Sequence, residues 1–245
     1  MIYRPRLPIP RATAWVAILA RTERSQAAQD LSFLARLSHE LRLSRNMTAA
    51  LKTRVLELAE AFRDDAADWC DERDDWWLRT ALLAYLVYTG ARPFFDEDYT
   101  NGFYGLTFAL HEAGHLLFSW GGQWLSVAGG SLLQWSAPVL AGLHLIWKQR
   151  DYFGLCVCVC WLGFSLQDSA PYIADARAQA MPLIGFGDDP IHDWHYLLRS
   201  MSLLRWDTTL AQLSRWWGVV LWGAGCASGG LLCWRIRERQ RSAPG

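Results

Sequence analysis

The stretch FYGLTFALHEAGHLLFSW, residues 103–120, combines an apolar run with the pattern H-E-x-x-H. On a helix, positions i and i+4 lie about 40° apart around the axis and one turn apart along it, so the imidazoles of His111 and His115 can reach one ion from the same face. Glu112 lies next to that face, where it can act as the base that takes a proton from a metal-bound water. A catalytic zinc usually has three protein ligands and one open position, so a third ligand must come from elsewhere in the chain.

The apolar surroundings of this motif favour a functional interpretation. Ionisable side chains are costly in hydrocarbon and usually mark functional sites there. We therefore expect His111 and His115 to bind a metal ion. The alternative is a helix whose two histidines and glutamate are hydrogen-bonded only to their neighbours.

The composition indicates a membrane protein with a soluble part. The chain has 245 residues, of which 52% are hydrophobic, and a formal net charge of +0. This neutrality argues against a nucleic-acid partner, which would favour a basic face. Tryptophan collects at membrane interfaces, and several of the 15 tryptophans fall near the ends of apolar stretches. The mean hydropathy of +0.02 is low for a protein with many spans, so we expect the N-terminal third to be soluble.

Four apolar stretches are long enough, or nearly so, to cross a bilayer: Phe103–Trp120, Trp124–Trp147, Phe153–Ile173 and Trp216–Trp234. A shorter one, Leu78–Gly90, is suited to a re-entrant or interfacial helix. The sequence predicts an all-α fold, a polytopic integral membrane helix bundle of about four to six spans with an N-terminal amphipathic helical region. Its predicted parts are the N-terminal region 1–80, a membrane-embedded metal-binding domain 81–235 and a basic tail 236–245.

The N-terminal region is charged and carries apolar residues at helical spacing. It predicts a helical hairpin that lies against the membrane lipid or binds a partner protein. Positive residues flank the later spans at Lys148, at Arg150 and in the tail, so the N-terminal region and the C-terminus are predicted to be cytoplasmic and residues 174–214 to lie outside. We expect the chain to reside in a bacterial inner membrane.

One polar element at the outer end of the third span offers candidate metal ligands. Pro171 is expected to break or kink the helix there, which would turn a carboxylate inward. Asp168 and Asp175 are therefore candidates for the third ligand or for partners that orient a ligating histidine. The alternative is that Asp175 pairs with Arg177 or caps a helix end.

A second polar element follows in the outer segment. Asp189 as N-cap and Pro190 at the first helical position predict the start of an amphipathic helix. His192 and His195 lie on one side of it and Asp193 is a candidate for an outer partner of the metal site. We prefer His192 as the third ligand, with Asp175 and His195 as alternatives. The competing interpretation is an interfacial helix whose histidines contact water or lipid headgroups.

The sequence HEAGH at 111–115, inside an apolar span, resembles the site-2 protease class of intramembrane zinc metalloproteases. This resemblance implies that His111 and His115 bind zinc, that Glu112 activates water and that an aspartate on a later span is the third ligand. The chain departs from the second motif of that class, since Asp168 stands where asparagine is expected and Ala176 where glycine is expected. The set HEAGH, YIADARAQ (172–179) and HDWH (192–195) also resembles a group of bacterial multi-pass proteins.

Three functions remain open at this point. The first is an integral-membrane metallopeptidase that uses Zn²⁺ to hydrolyse a peptide or membrane-protein substrate in or near the bilayer, with Glu112 as the base. The second is a membrane oxidase or hydroxylase in which both histidine pairs hold iron. The third is a non-catalytic membrane protein that keeps a metal for stability. An open coordination position would indicate catalysis and a closed shell of four ligands would indicate structure.

Overall fold

All regular secondary structure in the described part of the chain is helical. The computed structural model describes residues 47–96, 99–182 and 191–242, and within these ranges no strand is present. The chain divides into two compact units, residues 1–64 and 65–245. The predictions for residues 1–46, which include most of the N-terminal hairpin, lie outside the described residues.

Seven α-helices account for most of the described residues. Helix α1 covers 47–71. The others are α2 (Trp76–Ala91), α3 (Tyr104–Leu117), α4 (Gly122–His144), α5 (Tyr152–Ala174), α6 (Asp193–Ser200) and α7 (Asp207–Ser242). Short 3-10 turns connect some of them, at Arg92–Phe94, Ser119–Gly121 and Leu204–Trp206, and a π-helical turn covers Leu145–Gln149.

Two of the helices are long and apolar enough to cross a membrane by length and composition. They are Tyr152–Ala174 and Leu204–Ser242, the second of which includes the 3-10 turn before α7. The other predicted spans coincide with α3 and α4, but α3 has only 14 residues. At about 1.5 Å per residue such a helix is shorter than the hydrocarbon core of about 30 Å. The prediction of four to six spans is therefore not confirmed.

Glycine permits two close helix contacts in the larger unit. Helices α5 and α7 approach so closely at Gly163 that a Cβ there would lie 2.7 Å from the carbonyl oxygen of Gly218. Helices α3 and α4 approach in the same way at Gly114, where a Cβ would lie 2.2 Å from the carbonyl oxygen of Gly129. The second contact fixes the helix that carries H-E-x-x-H against α4.

The cysteines behave as apolar packing residues. Cys156 and Cys233 lie in a buried cluster with Phe153, Leu232 and Ile236, where α5 meets α7. All six cysteines are free thiols. Small, weakly polar side chains suit such a tight contact between helices.

Two expected helix ends differ in the structure. Helix α5 does not stop at Pro171 but continues to Ala174. Pro171 lies in the last turn and removes only the backbone hydrogen bond to the carbonyl group of Gln167, so the helix can continue for the remaining turn. Helix α6 begins at Asp193 with His192 as its N-cap. Asp189 and Pro190, predicted to begin this helix, lie outside the described residues.

Candidate metal centre

His111 and His115 lie one turn apart on α3 and face α4. Their ring centroids are 4.8 Å apart and the rings are nearly perpendicular, at 81°. Gly130 on α4 provides the space, since a Cβ there would lie 2.7 Å from Nε2 of His115 and 2.8 Å from Cε1 of His111. The i, i+4 spacing thus brings the two imidazoles together as expected.

The amide of Gln134 orients the ring of His111. Its Oε1 lies 2.9 Å from Nδ1 of His111. The amide nitrogen of Gln134 donates to the carbonyl oxygen of Ser165 at 3.1 Å and to Oγ of Ser169 at 3.0 Å. Because a carbonyl oxygen can only accept, this network turns Oε1 towards His111, whose Nδ1 must then carry the hydrogen.

His115 is oriented by a backbone carbonyl. Its Nδ1 donates to the carbonyl oxygen of Ser126 at 3.0 Å, and Ser126 Oγ donates back to the carbonyl of His115 at 2.9 Å. Metal-binding histidines usually donate their other ring N–H in this way, which fixes the tautomer and the direction of the lone pair. Both histidines therefore keep Nε2 available for a ligand.

The two Nε2 atoms meet one carboxylate oxygen. Oδ2 of Asp193 lies 2.9 Å from Nε2 of His111 and 3.3 Å from Nε2 of His115. Ligand atoms bonded tetrahedrally to zinc at about 2.0–2.1 Å are separated by about 3.3 Å, so these spacings fit a shared ion. Burial alone would raise the pKa of Asp193, but His111 and His115, when they are protonated at Nε2 as well, outweigh it and hold the pKa below its usual value.

Glu112 completes a group of possible ligands with the two histidines. One ligand atom of each of His111, Glu112 and His115 lies within 4.8 Å of the others. Among the described residues, no hydrogen bond or ion pair holds the carboxylate of Glu112. It lines a cavity of about 480 Å³ together with both histidines and Asp193. The cavity gives room for a water or a substrate beside the candidate ligands.

His192 does not line the cavity that contains the histidine pair of α3. Its Nδ1 accepts the backbone N–H of His195 at 3.2 Å, as the cap of α6. Its Nε2 lies 3.3 Å from Oδ2 of Asp175 and donates to it. Both ring nitrogens are thus engaged, so the residue preferred as third ligand on sequence grounds has no free lone pair. Its choice as ligand remains a prediction, and the geometry favours Asp193.

Asp175 holds a turn together. It accepts the backbone N–H groups of Ala180 at 2.9 Å and Met181 at 3.0 Å, in addition to His192. Burial alone would raise its pKa, but these N–H donors and His192 hold the pKa below its usual value. The second alternative ligand, His195, donates from Nδ1 to the carbonyl oxygen of Ala176 at 2.7 Å. Both residues bind the turn after α5, and neither lines the cavity that contains the α3 histidines.

Tyr172 links this turn to Asp193. Its hydroxyl oxygen accepts the backbone N–H of Asp193 at 3.0 Å, and its ring stacks on His192 with 4.4 Å between centroids. The helix start, the tyrosine and Asp175 thereby place the Asp193 carboxylate against α3.

Asp168 contacts an amide and not the candidate metal ligands. The side-chain nitrogen of Asn101 donates to both of its oxygens, at 2.8 and 3.1 Å, and Oδ1 of Asn101 accepts the backbone N–H of Phe103. Asp168 lines the same cavity as Glu112. Its predicted role as an outer partner of a metal ligand is therefore not supported by a contact.

The sequence interpretation did not identify Gln134, Tyr172 or Asn101. Gln134 carried a usable signal, because an amide inside an apolar helix is costly unless it has hydrogen-bond partners. Tyr172 and Asn101 act through partners distant in the chain, and no local pattern marks them.

Comparison of the chain with protein-family models, curated proteins and solved structures finds no match, and the interpretation of the site therefore rests on its own residues.

Proposed function

We propose that this chain is an integral-membrane zinc metallopeptidase that hydrolyses a peptide bond in or near the bilayer. His111, His115 and Asp193 would hold the ion and Glu112 would act as the base. A bound zinc ion supplies a Lewis acid that polarises the carbonyl group under attack. The resemblance of HEAGH to the site-2 protease class supports the same assignment for the motif residues.

The observation that carries this proposal is the pair of imidazole lone pairs aimed at one carboxylate. Both Nδ1 atoms donate to fixed acceptors, so in the neutral rings both Nε2 atoms present a lone pair to Asp193. Lone pairs and a carboxylate oxygen repel one another at 2.9–3.3 Å unless a cation or added protons lie between them. A zinc ion removes the repulsion for all three groups at once.

The cavity favours catalysis over a structural metal. A structural zinc has four protein ligands and no open position. Here two histidines and one carboxylate converge beside about 480 Å³ of space, and Glu112 lines that space. Iron held by both histidine pairs is less well supported, since among the described residues neither His192 nor His195 lines the cavity that contains His111 and His115.

Membrane embedding through more than the two long helices is also part of the proposal. Large apolar side chains are exposed on α4 and at its end, with Leu140 60% and Trp147 82% exposed, and Trp120 beyond α3 is 81% exposed. Exposed apolar side chains at neighbouring helical positions, such as Leu140 and Leu143 on α4, suit contact with lipid. Indole rings at helix ends suit the membrane interface.

The test is hydrolysis of a quenched fluorescent peptide library by the full-length protein purified in detergent and loaded with zinc. We expect turnover by the wild type and a loss of about 10²- to 10⁴-fold in Glu112→Gln with zinc content unchanged. Glu72→Gln, which changes an exposed glutamate, is the matched control and should leave the rate unaltered. Absence of bound metal, or full activity in Glu112→Gln, would contradict the proposal.

A further inference from the structure

Asp168 is the carboxylate of the cavity that the proposed reaction does not use. It is partly buried on α5, and Asn101, its hydrogen-bond partner, is itself 8% exposed. Both Asp168 oxygens accept hydrogen bonds from the same amide nitrogen, which suits the ionised form of the carboxyl group. An amide partner contributes hydrogen bonds but no opposite charge.

No fixed cation balances this charge among the described residues. Within residues 47–96, 99–182 and 191–242, no lysine or arginine lines the cavity and no ion pair to Asp168 forms. A partly buried carboxylate without a counterion is costly. Because this carboxylate lies beside a space large enough for a substrate, a cationic group of the substrate could serve as its counterion.

The formal charges of the loaded site lead to the same conclusion. This step rests on the proposed function, because it counts the zinc ion. The two positive charges of zinc are balanced by Asp193 and Glu112, and the two histidines are neutral as ligands. Asp168 then leaves the cavity with one uncompensated negative charge, and low-dielectric walls strengthen its attraction for a cation.

We infer that Asp168 binds a protonated amine of the substrate within the metal cavity. The cation is either the free α-amine of a peptide or the side chain of a lysine. In both cases the ammonium group donates hydrogen bonds to the carboxylate, while Asn101 holds that carboxylate in place. The site would accordingly prefer substrates that carry a positive charge near the bond that is cleaved.

The test compares two probes of similar shape, benzylamine and benzyl alcohol, by calorimetric titration of the full-length, zinc-loaded protein near pH 7. We expect the wild type to bind the amine at least about tenfold more tightly than the alcohol, because hydrogen bonds between charged groups are the stronger ones. In Asp168→Asn the two probes should bind within about twofold of each other. Asp68→Asn, which changes an exposed aspartate, should keep the wild-type preference.

Two results would overturn the inference. If the wild type binds benzylamine and benzyl alcohol with nearly equal affinity, an amine site is excluded without any variant. A preference that survives in Asp168→Asn would assign the amine to the metal or to another carboxylate. Binding and cleavage are measured separately, so the two proposals can fail independently. A protein that cleaves peptides but binds the amine and the alcohol equally contradicts only this inference. A protein that prefers the amine but cleaves no peptide contradicts only the proposed peptidase function.

Displacement of benzylamine by three short peptides identifies the source of the amine. The peptides are one with a free N-terminus and no lysine, its N-acetylated form, and the acetylated form with one lysine. Displacement only by the peptide with a free N-terminus assigns the cation to the α-amine. Displacement by the acetylated peptide with lysine, but not by the acetylated peptide without it, assigns the cation to the lysine side chain. Equal displacement by all three shows that charge is not recognised and contradicts the inference.

Discussion

The chain contains two histidine pairs, and hydrogen bonds distinguish His192 of the second pair from both histidines of the first. In the α3 pair, His111 and His115 donate from Nδ1 and keep Nε2 facing Asp193. In the α6 pair, His192 uses both nitrogens, one to cap the helix and one to bind Asp175. The partner of the second ring nitrogen thus separates His192 from His111 and His115, whereas His195, which also donates from Nδ1, lies outside the cavity that His111 and His115 line.

The largest effect is expected from removal of a candidate ligand. His111→Ala or Asp193→Ala should weaken zinc binding by more than the roughly 10- to 100-fold that outer partners usually contribute. Competition with a chromogenic chelator measures the affinity. His144→Ala, an exposed histidine on α4, should bind zinc like the wild type. Wild-type affinity in Asp193→Ala would exclude Asp193 as a ligand.

Gly130→Ala should have the next largest effect. The added Cβ would come within 2.8 Å of both imidazole rings, so at least one of them must move away from Asp193. We expect zinc affinity to fall by about 100-fold, because the displaced imidazole no longer points at the ion although all ligand residues are still present. Gly105→Ala on α3, where a Cβ meets nothing within 4 Å, is the control. Equal affinities in the two variants would show that the rings do not need this space.

Gln134→Leu tests how the tautomer of His111 is fixed. Without the amide acceptor the ring can rotate or change tautomer, and zinc affinity should drop by about 10- to 100-fold. Gln123→Leu changes an exposed amide on the same helix and should have no effect. An unchanged affinity in Gln134→Leu would mean that packing alone orients the ring.

His192→Ala should affect stability more than metal binding. Loss of an N-cap costs about 1 kcal/mol, so the midpoint of denaturant unfolding should fall while zinc affinity changes by less than about tenfold. His192→Asn keeps a capping side chain and should recover most of the stability. A loss of zinc as large as that in Asp193→Ala, without recovery in His192→Asn, would instead support His192 as the third ligand.

The smallest expected effect is the loss of stability contributed by Asp175 at acidic pH. Because the folded pKa of Asp175 is below its usual value, its contribution to stability is complete above the unfolded pKa of about 3.9 and is lost as the pH falls through the lower folded pKa. Asp175→Asn should therefore be less stable than the wild type at neutral pH, and the difference should shrink below about pH 4. Unfolding curves at several pH values measure this. A difference that stays constant with pH would exclude the titration of Asp175 as its cause.

Much of the helical architecture could be predicted from the sequence, because long apolar stretches and helical spacing are local signals. The predicted stretch Phe153–Ile173, for example, matches α5 within one residue at each end. The number of membrane spans was less predictable, since α3 is short and α4 carries polar residues.

The candidate site was predictable only where its geometry is local. The i, i+4 relation of His111 and His115 follows from the helix itself. The roles of His192 and Asp193 depend on where α6 begins, and a shift of one residue there turns a different side chain towards α3. Asp189 and Pro190 gave the stronger start signal, whereas the structure begins the helix at Asp193.

The most direct test of the central claim is the X-ray absorption fine structure at the zinc edge of the full-length, zinc-loaded wild type. We expect two imidazole nitrogens and a carboxylate oxygen, with one further oxygen from solvent, at about 2.0–2.2 Å from the zinc. Three imidazoles around the zinc would move the third ligand to the α6 histidine pair. A protein that retains no zinc would contradict the assignment of His111, His115 and Asp193 as a metal centre.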